Sequence, residues 1–455
     1  MKLNKYLLMA AMGLGFVACT ENDLVEGGDS NGAQNEGTTY VGFTIDFSKT
    51  QTRATEESTP SEQKINTAYV ILAASGNISQ IAETPKGTSS NKYVLQTTPG
   101  PHDFYVVVNP TIAPTVGTSI DAYFNTGVAI GAEEFAKTTA GSESFLMASV
   151  KKETFDIADG ITEKEALEGT DAATNNFTIN VERVAAKVTM TCENTTLTNA
   201  NNNAGGTITT PNFTLKGGAT KSYRMAQNPF AEITENAWTY TSSATDVYVK
   251  TGDETDLHKK ATPVYCLENL HATGSYKQVN TTYLTLNTTF KPANVVNCDN
   301  PLSGLTSNNH TEGTDDELTF YVVKEGTLAG NYLMKADLLQ WQKKQSYITD
   351  DQFQNGEIAN DPTYFPNGVE SISAEYENGT CWFGPIWIGQ TDTDKDNAPV
   401  VRNTWYNLKI TGITLPGDPQ EPKPDPDQPL VPGTNVAITL SVMPWNFIEH
   451  NIDLQ

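Results

Sequence analysis

The chain has 455 residues, and its 54 acidic and 29 basic side chains give a formal net charge of −25. No basic stripe of the kind that neutralises phosphates is present, so nucleic acid is not an expected partner. The acidity favours solubility and resistance to nonspecific association. The length is enough for two or three domains.

The first residues have the pattern of an export signal. Lys2 and Lys5 make the first residues positively charged. Tyr6–Ala18 is then an uncharged apolar run that is too short to span a bilayer as a helix. Cys19 follows directly. This arrangement resembles the lipobox of bacterial lipoproteins, which implies that residues 1–18 are removed and that Cys19 carries lipid. An ordinary signal peptide with a chance cysteine is the alternative.

A strand-like stretch follows the signal. Residues 20–37 are mostly small and polar and predict a tether. Tyr40–Phe47 then alternates apolar with smaller or polar residues, which is typical of a strand with one buried face. A polar stretch, residues 48–63, comes next. It contains Arg53-Ala54, where a protease specific for Arg could cut.

The body of the chain has many short runs rich in β-branched and aromatic residues, separated by Gly, Asn, Pro and Ser. This punctuation predicts β-sandwich domains with few helices. The clearest strand-like runs are Ala68–Leu72, Phe104–Val108, Phe177–Val181, Ala186–Met190, Thr282–Leu286 and Leu318–Val323. The expected helical pieces are Ser119–Phe124, Gly131–Phe135 and Ala336–Gln345. A polar stretch, residues 159–176, predicts a domain boundary near residue 180.

The C-terminal part has a separate organisation. Residues 416–433 are rich in proline and predict an extended spacer, about 50 Å long if fully stretched as polyproline. Residues 434–455 then contain an alternating strand, whose apolar positions are Val436, Ile438, Leu440 and Val442.

The two alternating strands suggest a mechanism of assembly. If a cut at Arg53 removes the first strand, the body loses part of a sheet, and the terminal strand of another copy has the right pattern to replace it. A head-to-tail contact that does not close makes a filament. The alternative is that both strands belong permanently to their own domains and that Arg53 is an ordinary linker residue.

Other chemistry has weaker support in the sequence. Asp392–Asn403 begins like a calcium loop but has Asn at its sixth and twelfth positions, so a solvated acidic loop is the better interpretation. The five histidines have no metal-ligand spacing, and no nucleophile elbow or phosphate loop occurs, so neither an enzyme, a cofactor nor a metal is expected. The aromatic run Cys381–Trp387 could stack on sugars, although core packing is the better interpretation. Four body cysteines are either free buried thiols or form one or two disulfides: Cys192, Cys266, Cys298 and Cys381.

Taken together, the motifs resemble the major fimbrial subunits of Bacteroidales, the fimbrilins of the Mfa-type group in the FimA-like superfamily. The motifs that carry this resemblance, besides the two ends, are Val181–Val188, Tyr265–Asn269, Val400–Asn403, Trp405-Tyr406 and Ile438–Trp445. The family implies an all-β fold with two transthyretin-like β-sandwich domains and few short helices. The domain limits expected on this basis are a signal peptide at 1–18, a propeptide with a removable strand at 19–53, β-sandwich domains at 54–179 and 180–415, a linker at 416–433 and a donor strand at 434–455.

The resemblance also implies a function. The chain is expected to be a non-enzymatic stalk subunit of a cell-surface fimbria, lipidated at Cys19 as an outer-membrane precursor, cut between Arg53 and Ala54 by an Arg-specific protease, and polymerised through Val436, Ile438, Leu440 and Val442. Its expected partners are copies of itself, accessory anchor and tip subunits, and that protease, and the polymer would support adhesion. The alternative is a monomeric surface lipoprotein that binds glycans or host proteins.

Overall fold

The structure is a computed structural model. It describes residues 38–47, 59–85, 91–126, 128–129, 135–197, 205–228, 231–233, 235–255, 257, 260–310, 318–391, 393–430, 436–443 and 448–449. The signal segment, Cys19, Arg53 and Ala54 lie outside the described residues.

The first part of the chain contributes eleven strands. They are β1 (Thr39–Phe47), β2 (Ala68–Ala74), β3 (Asn77–Ala82), β4 (Lys92–Thr97), β5 (Gly100–Val108), β6 (Val128–Ala129), β7 (Ala136–Lys137), β8 (Ser144–Phe145), β9 (Met147–Ser149), β10 (Glu153–Ile157) and β11 (Asn176–Arg183). Eight of them form one sheet, in the order β3-β2-β5-β9-β11-β1-β4, with β10 paired to β5. Its buried side chains are mostly β-branched or aromatic, which suits a pleated surface with one packed face.

The remainder of the chain contributes the other strands. They are β12 (Ala185–Cys192), β13 (Thr196–Leu197), β14 (Gly206–Lys216), β15 (Lys221–Ser222), β16 (Thr245–Asp246), β17 (Tyr248–Val249), β18 (Val264–Leu267), β19 (Tyr283–Pro292), β20 (Asn294–Val296), β21 (Leu305–Ser307), β22 (Phe320–Glu325), β23 (Tyr332–Met334), β24 (Ser371–Ile372), β25 (Thr380–Trp387), β26 (Trp405–Ile413), β27 (Val436–Met443) and β28 (Ile448–Glu449). An eleven-stranded sheet follows the order β17-β12-β26-β13-β14-β19-β25, with β16, β18, β27 and β28 at its sides.

Each large sheet has its own hydrophobic core, and the two cores meet where the chain passes from one sheet to the other. β11 ends at Arg183 in the first sheet and β12 begins at Ala185 in the second. All eight residues of β12 are buried, because the strand lies between β18 and β26. Tyr265 and Trp405 of the second sheet belong to the same hydrophobic cluster as the first sheet. The two sheets are therefore packed together through apolar side chains.

Four short helices lie among the described residues: α1 (Ile120–Phe124), α2 (Glu163–Glu168), α3 (Lys335–Lys344) and α4 (Asp350–Gln354). The predictions of helix at 119–124 and 336–345 are confirmed within a residue at each end, whereas most of the predicted piece at 131–135 lies outside the described residues. α2 and α4 begin with capping boxes at Thr162 and Thr349, in which the cap hydroxyl and a Glu or Gln side chain bond reciprocally to the backbone.

These elements confirm the predicted all-β class with few short helices. Each of the six strand-like runs identified in the body overlaps an observed strand, β2, β5, β11, β12, β19 or β22. A smaller cluster around Tyr321, Leu333 and Leu338 packs α3 against the sheet of β22, β23 and β24. The cysteines at 192, 266, 298 and 381 are free and buried. Within the described part of the chain, no helix is both long and apolar enough to cross a bilayer.

Candidate functional site

Strand β1 lies inside the first sheet, with a hydrogen-bonded neighbour on each side. It runs parallel to β11, with Phe43 opposite Phe177, and antiparallel to β4, with Phe43 opposite Tyr93. The parallel partner is more than 130 residues away in sequence, as the pairing of Gly42 with Asn176 shows. A strand in this position has its backbone satisfied from both sides, unlike an edge strand.

The alternating side chains of β1 fill the core beneath the sheet. Val41, Phe43 and Ile45 are 0%, 1% and 1% exposed. The Phe43 ring lies 4.7 Å from the ring of Phe104, measured between centroids. At about 1.5–3 kcal/mol per fully buried apolar side chain, these three positions contribute roughly 5–9 kcal/mol to burial of the strand. Asp46, on the opposite face, is exposed.

The beginning of β1 is held by a buried hydroxyl. Thr39 is 0% exposed, and its Oγ1 donates to the carbonyl of Ala158 at 2.9 Å and accepts from the backbone N–H of Ile161 at 3.0 Å. The side-chain amide of Asn175 donates to the carbonyls of Tyr40 and Ala158 at 3.0 and 2.9 Å. Because these backbone groups are buried or half-buried, a strand in this place must satisfy them.

Helix α2 lies directly against β1 at Gly42. A Cβ atom at Gly42 would lie 2.0 Å from the carbonyl oxygen of Ala166 and 2.7 Å from its carbonyl carbon. The Asn176 side-chain amide donates to the same Ala166 oxygen at 2.6 Å and so fixes the position of the helix. Only glycine fits here without movement of α2, which explains a glycine in the middle of a strand.

Glu62 follows the predicted cleavage site at Arg53 in the sequence and anchors this part of the chain to the second sheet. Its Oε1 accepts from Lys187 Nζ at 2.7 Å and from the Tyr265 hydroxyl at 2.8 Å, and its Oε2 accepts from the backbone N–H of Thr59 at 2.9 Å. The Lys187 ammonium also lies 4.1 Å above the centre of the Trp405 ring. The described chain thus leaves β1 at Phe47 and is fixed again at Thr59, so Arg53 lies between two anchored points in the sequence.

Electrostatics favour the charged form of this buried pair. Burial by itself raises the pKa of Glu62, but the Lys187 charge and the hydrogen bonds from Lys187, Thr59 and Tyr265 hold that pKa below 4.5. Burial lowers the pKa of Lys187, and the Glu62 charge opposes that shift. Burial and the same carboxylate raise the pKa of Tyr265 well above its ordinary range. Sequence reasoning missed this cluster, because Glu62 is distant from both partners in sequence.

A second buried carboxylate lies at the end of β11. Oε1 of Glu182 is buried and accepts no hydrogen bond within the described residues. Burial raises the pKa of Glu182 to about 7, with Arg402 lowering it and Glu268 raising it. The Arg402 guanidinium itself is paired with Glu268, to which its Nε donates at 2.9 Å. Glu182 therefore has no close cation of its own among these residues.

The alternating strand predicted near the C-terminus is observed as β27, on the second sheet. It pairs antiparallel with β26, with Leu440 opposite Leu408, and its other side pairs with β28 only at Ser441 and Val442. The backbone of all four predicted donor residues lies in this strand, whereas their side chains lie outside what the structure describes. The structure thus places β1 and β27 on different sheets of one chain.

The proline-rich segment before β27 lies along the second sheet. Glu421 accepts from Lys216 Nζ at 2.5 Å and from the Thr285 hydroxyl at 3.0 Å. Further along, Gln278 donates to the carbonyl of Pro429 at 3.0 Å, and Leu430 is buried with 6% exposure. The segment is therefore held to the body as far as Leu430.

The weaker candidate sites have structural explanations. Phe383 and Trp387 are 1% and 3% exposed, so this aromatic run contributes to the core. In the acidic loop, both carboxylate oxygens of Asp394 accept from the Asn397 amide at 2.9 Å, while Asp392 lies outside the described residues. No group of three or more metal-ligating side chains occurs in the part of the chain that the structure describes.

These features define an all-β protein with two sheets that have adjoining hydrophobic cores, an interior strand near its beginning and a peripheral strand near its end. Residues 374–451, which include β25 to β27, match the sequence family described as "Major fimbrial subunit protein type IV, Fimbrillin, C-terminal". The predicted resemblance to the fimbrilins is confirmed by this match. No curated protein matches the chain.

A comparison with solved structures finds several similar chains. A fimbrilin from Porphyromonas gingivalis W83 is 14% identical, with 92% of this chain and 99% of that chain covered at a TM-score of 0.48. A candidate cell adhesion protein from Parabacteroides distasonis ATCC 8503 is 15% identical, with 90% and 100% covered at a TM-score of 0.49. The tip fimbrial protein Mfa3 from Porphyromonas gingivalis, truncated at its C-terminus, is 13% identical, with 88% and 99% covered at a TM-score of 0.39.

Proposed function

We propose that this protein is a structural subunit of a cell-surface fimbria, exported as a lipoprotein and polymerised by exchange of strands between copies. In this proposal Cys19 carries lipid, a protease cuts between Arg53 and Ala54, and residues 434–455 donate a strand to the next subunit. The role is structural and supports adhesion, without catalysis. The partners are other copies, accessory anchor and tip subunits, and the processing protease.

The observation that carries the proposal is the position of β1. The strand ends at Phe47, six residues before Arg53, yet it occupies an interior place in the first sheet with Val41, Phe43 and Ile45 in the core. Release of β1 would leave a slot between β11 and β4 lined by unpaired backbone groups and exposed apolar surface. Such a slot is unfavourable in water and is satisfied by another extended strand.

The terminal strand has the properties that this slot requires. Its four alternating aliphatic residues contribute roughly 6–12 kcal/mol on burial, as an upper value before ordering costs. Among the described residues, β27 pairs along its length with β26 and at two residues with β28. Moving it into a two-sided slot adds a second ladder of backbone hydrogen bonds, and this difference favours exchange between subunits.

Because β1 fills the slot until it is removed, we expect cleavage to control assembly. Full-length protein would be treated with an Arg-specific protease, and the products examined by electron microscopy and N-terminal sequencing. We expect filaments whose subunits begin at Ala54, and we expect Arg53→Ala to remain monomeric with β1 in place. Lys49→Ala removes the nearby basic residue of the same stretch and is the matched control, which should polymerise normally. Equal polymerisation of Arg53→Ala and Lys49→Ala would reject removal of β1 as the trigger.

Lipidation can be tested separately. In cells given a labelled fatty acid, the wild-type precursor should incorporate the label and the Cys19→Ser variant should not, because only a thiol at that position can be acylated in a lipobox. The four body cysteines serve as internal controls, since they are buried. Label retained in Cys19→Ser would reject lipidation at Cys19. A mature protein that keeps a lipidated Cys19 and never forms filaments would favour the monomeric lipoprotein instead.

A further inference from the structure

The C-terminal strand and β1 have the same pattern of residue types over nine positions. Aligned without a gap, Thr39–Phe47 reads TYVGFTIDF and Thr434–Val442 reads TNVAITLSV. Both have Thr at the first and sixth positions and Val at the third. The fifth, seventh and ninth positions are apolar in both, and the fourth is the smallest residue of each segment, Gly42 in one and Ala437 in the other.

The first shared threonine matters because the buried Thr39 side chain makes specific, partly buried hydrogen bonds. Its hydroxyl is the acceptor for the Ile161 N–H at 3.0 Å and donates to the Ala158 carbonyl at 2.9 Å. A strand that lacks a hydroxyl here would leave the half-buried Ile161 N–H without this partner. In the gapless alignment, Thr434 supplies the hydroxyl.

The fourth position matters because α2 leaves no space above Gly42. The Ala166 carbonyl oxygen is 2.0 Å from where a Cβ would lie, so each additional side-chain atom in the entering strand forces the helix further away. Side chains at this position point to the face opposite the core, so the candidates from the C-terminal strand are Gly433, Asn435, Ala437, Thr439 and Ser441. Placing Gly433 there would put Thr434 into the core position of Phe43, and each of the others except Ala437 adds a polar branch against α2.

From these two constraints we infer that the donated strand enters the slot in one register and in the direction of β1, with Thr434 replacing Thr39 and Ala437 replacing Gly42. This inference rests on the proposed exchange of strands. Ile438 then takes the core position of Phe43, Leu440 that of Ile45, and Ser441 the exposed position of Asp46. Since Ala437 has one carbon more than Gly42, α2 moves outward when the donor enters.

Disulfide crosslinking between neighbouring subunits can test this register directly. Tyr40 is opposite Gln96 in β4, and Gln96 is exposed. Subunits that carry Gln96→Cys with Asn435→Cys should therefore form disulfides between neighbours in filaments made after cleavage. Gln96→Cys with Gly433→Cys and Gln96→Cys with Val431→Cys report registers shifted by two and by four residues, and both should remain uncrosslinked. Filaments that crosslink in either shifted pair, and not in the pair with Asn435→Cys, would overturn the register, whereas absence of filaments from every variant and from wild type would reject strand exchange itself.

A pair of threonine variants tests the register without new cysteines. Thr434→Val removes the hydroxyl assigned to the Ile161 N–H and should lower the yield of filaments about tenfold, as the loss of one partly buried hydrogen bond implies. Thr439→Val makes the same chemical change at the position of Thr44, whose hydroxyl has no hydrogen bond within the described residues. That control should polymerise like wild type. Equal yields from the two variants would overturn the assignment of Thr434 to the place of Thr39.

Discussion

Strands β1 and β27 have nearly the same pattern of residues but different surroundings. β1 is bonded on both sides and has three apolar residues with at most 1% exposure. β27 is bonded along its length to β26 and touches β28 at two residues. Alternation of apolar residues therefore identifies a strand with one buried face, whereas the number of hydrogen-bonded neighbouring strands decides how strongly that strand is bound in its sheet. A strand with one neighbour can leave at a smaller cost than a strand with two.

The largest expected effect is loss of assembly when the weakly held strand is altered. Deleting residues 434–455 should abolish filaments completely and leave a folded, cleavable monomer. Ile438→Asp with Leu440→Asp should act in the same way, because unpaired charges would enter an apolar slot. Thr439→Asp with Ser441→Asp adds the same charge on the opposite face, where β1 has the exposed Asp46, and should still polymerise. Filaments from the deletion variant, seen by electron microscopy, would contradict donation by this strand.

The next largest expected effect is a loss of stability when β1, the strand with a neighbour on each side, is altered. Phe43→Ala in the uncleaved protein should lower the free energy of unfolding by about 3–5 kcal/mol, since it leaves a cavity beside Phe104. Urea denaturation measures this change. After cleavage and removal of β1, the same substitution should have no effect on the body, so the cleaved proteins serve as the control. A loss below about 1 kcal/mol in the precursor would contradict a structural role for β1.

The Glu62–Lys187 pair lies on the body side of the cleavage stretch and should behave differently from Phe43. Lys187→Met removes the ammonium that is paired with the buried Glu62 carboxylate and should cost about 3–5 kcal/mol, equally before and after cleavage. Since the folded pKa of Glu62 is below 4.5, the stability that this carboxylate contributes is present above pH 4.5 and is lost as the pH falls through the folded value. The difference in unfolding free energy between wild type and Lys187→Met should therefore shrink in acid. A difference that grows in acid would reject this account.

Glu182 is expected to have the smallest effect on the free energy of unfolding, and its pH dependence has the opposite sign to that of Glu62. Its folded pKa of about 7 exceeds the ordinary 4.5, so the folded state holds more protons than the unfolded chain between these values. Stability should fall by about 1–3 kcal/mol as the pH rises from 4.5 to 7, and Glu182→Gln should remove that part of the dependence. Urea denaturation of both proteins at pH 5 and pH 8 checks it. A Gln variant that is less stable than wild type at pH 8 would show that the charged carboxylate has a favourable partner.

Local patterns predicted the elements better than their arrangement. Alternation located β1 and β27, and the apolar residues of 336–345 located α3, because these signals depend on neighbours in sequence. The capping box at Thr162 and Glu165 is a local signal for α2, although the helix lies within the polar stretch 159–176. The parallel pairing of β1 with β11 has no local signal, since it depends on closing a loop of more than 100 residues. The same applies to the close approach of Ala166 to Gly42 and to the burial of Glu62 against Lys187.

The anchoring of Leu430 limits how far a donated strand can travel. Only residues 431–433 separate this buried side chain from Thr434, the first residue of the donated strand, and the four Cα steps from Leu430 to Thr434 span at most about 14 Å. If the proline-rich segment stays on the second sheet during exchange, the neighbouring slot must begin within that distance of Leu430. Successive subunits are then in direct contact, and bending between them is restricted. The stiffness of the fibre would be set by one leucine and the tether that follows it, so Leu430→Ser should give filaments with a shorter persistence length.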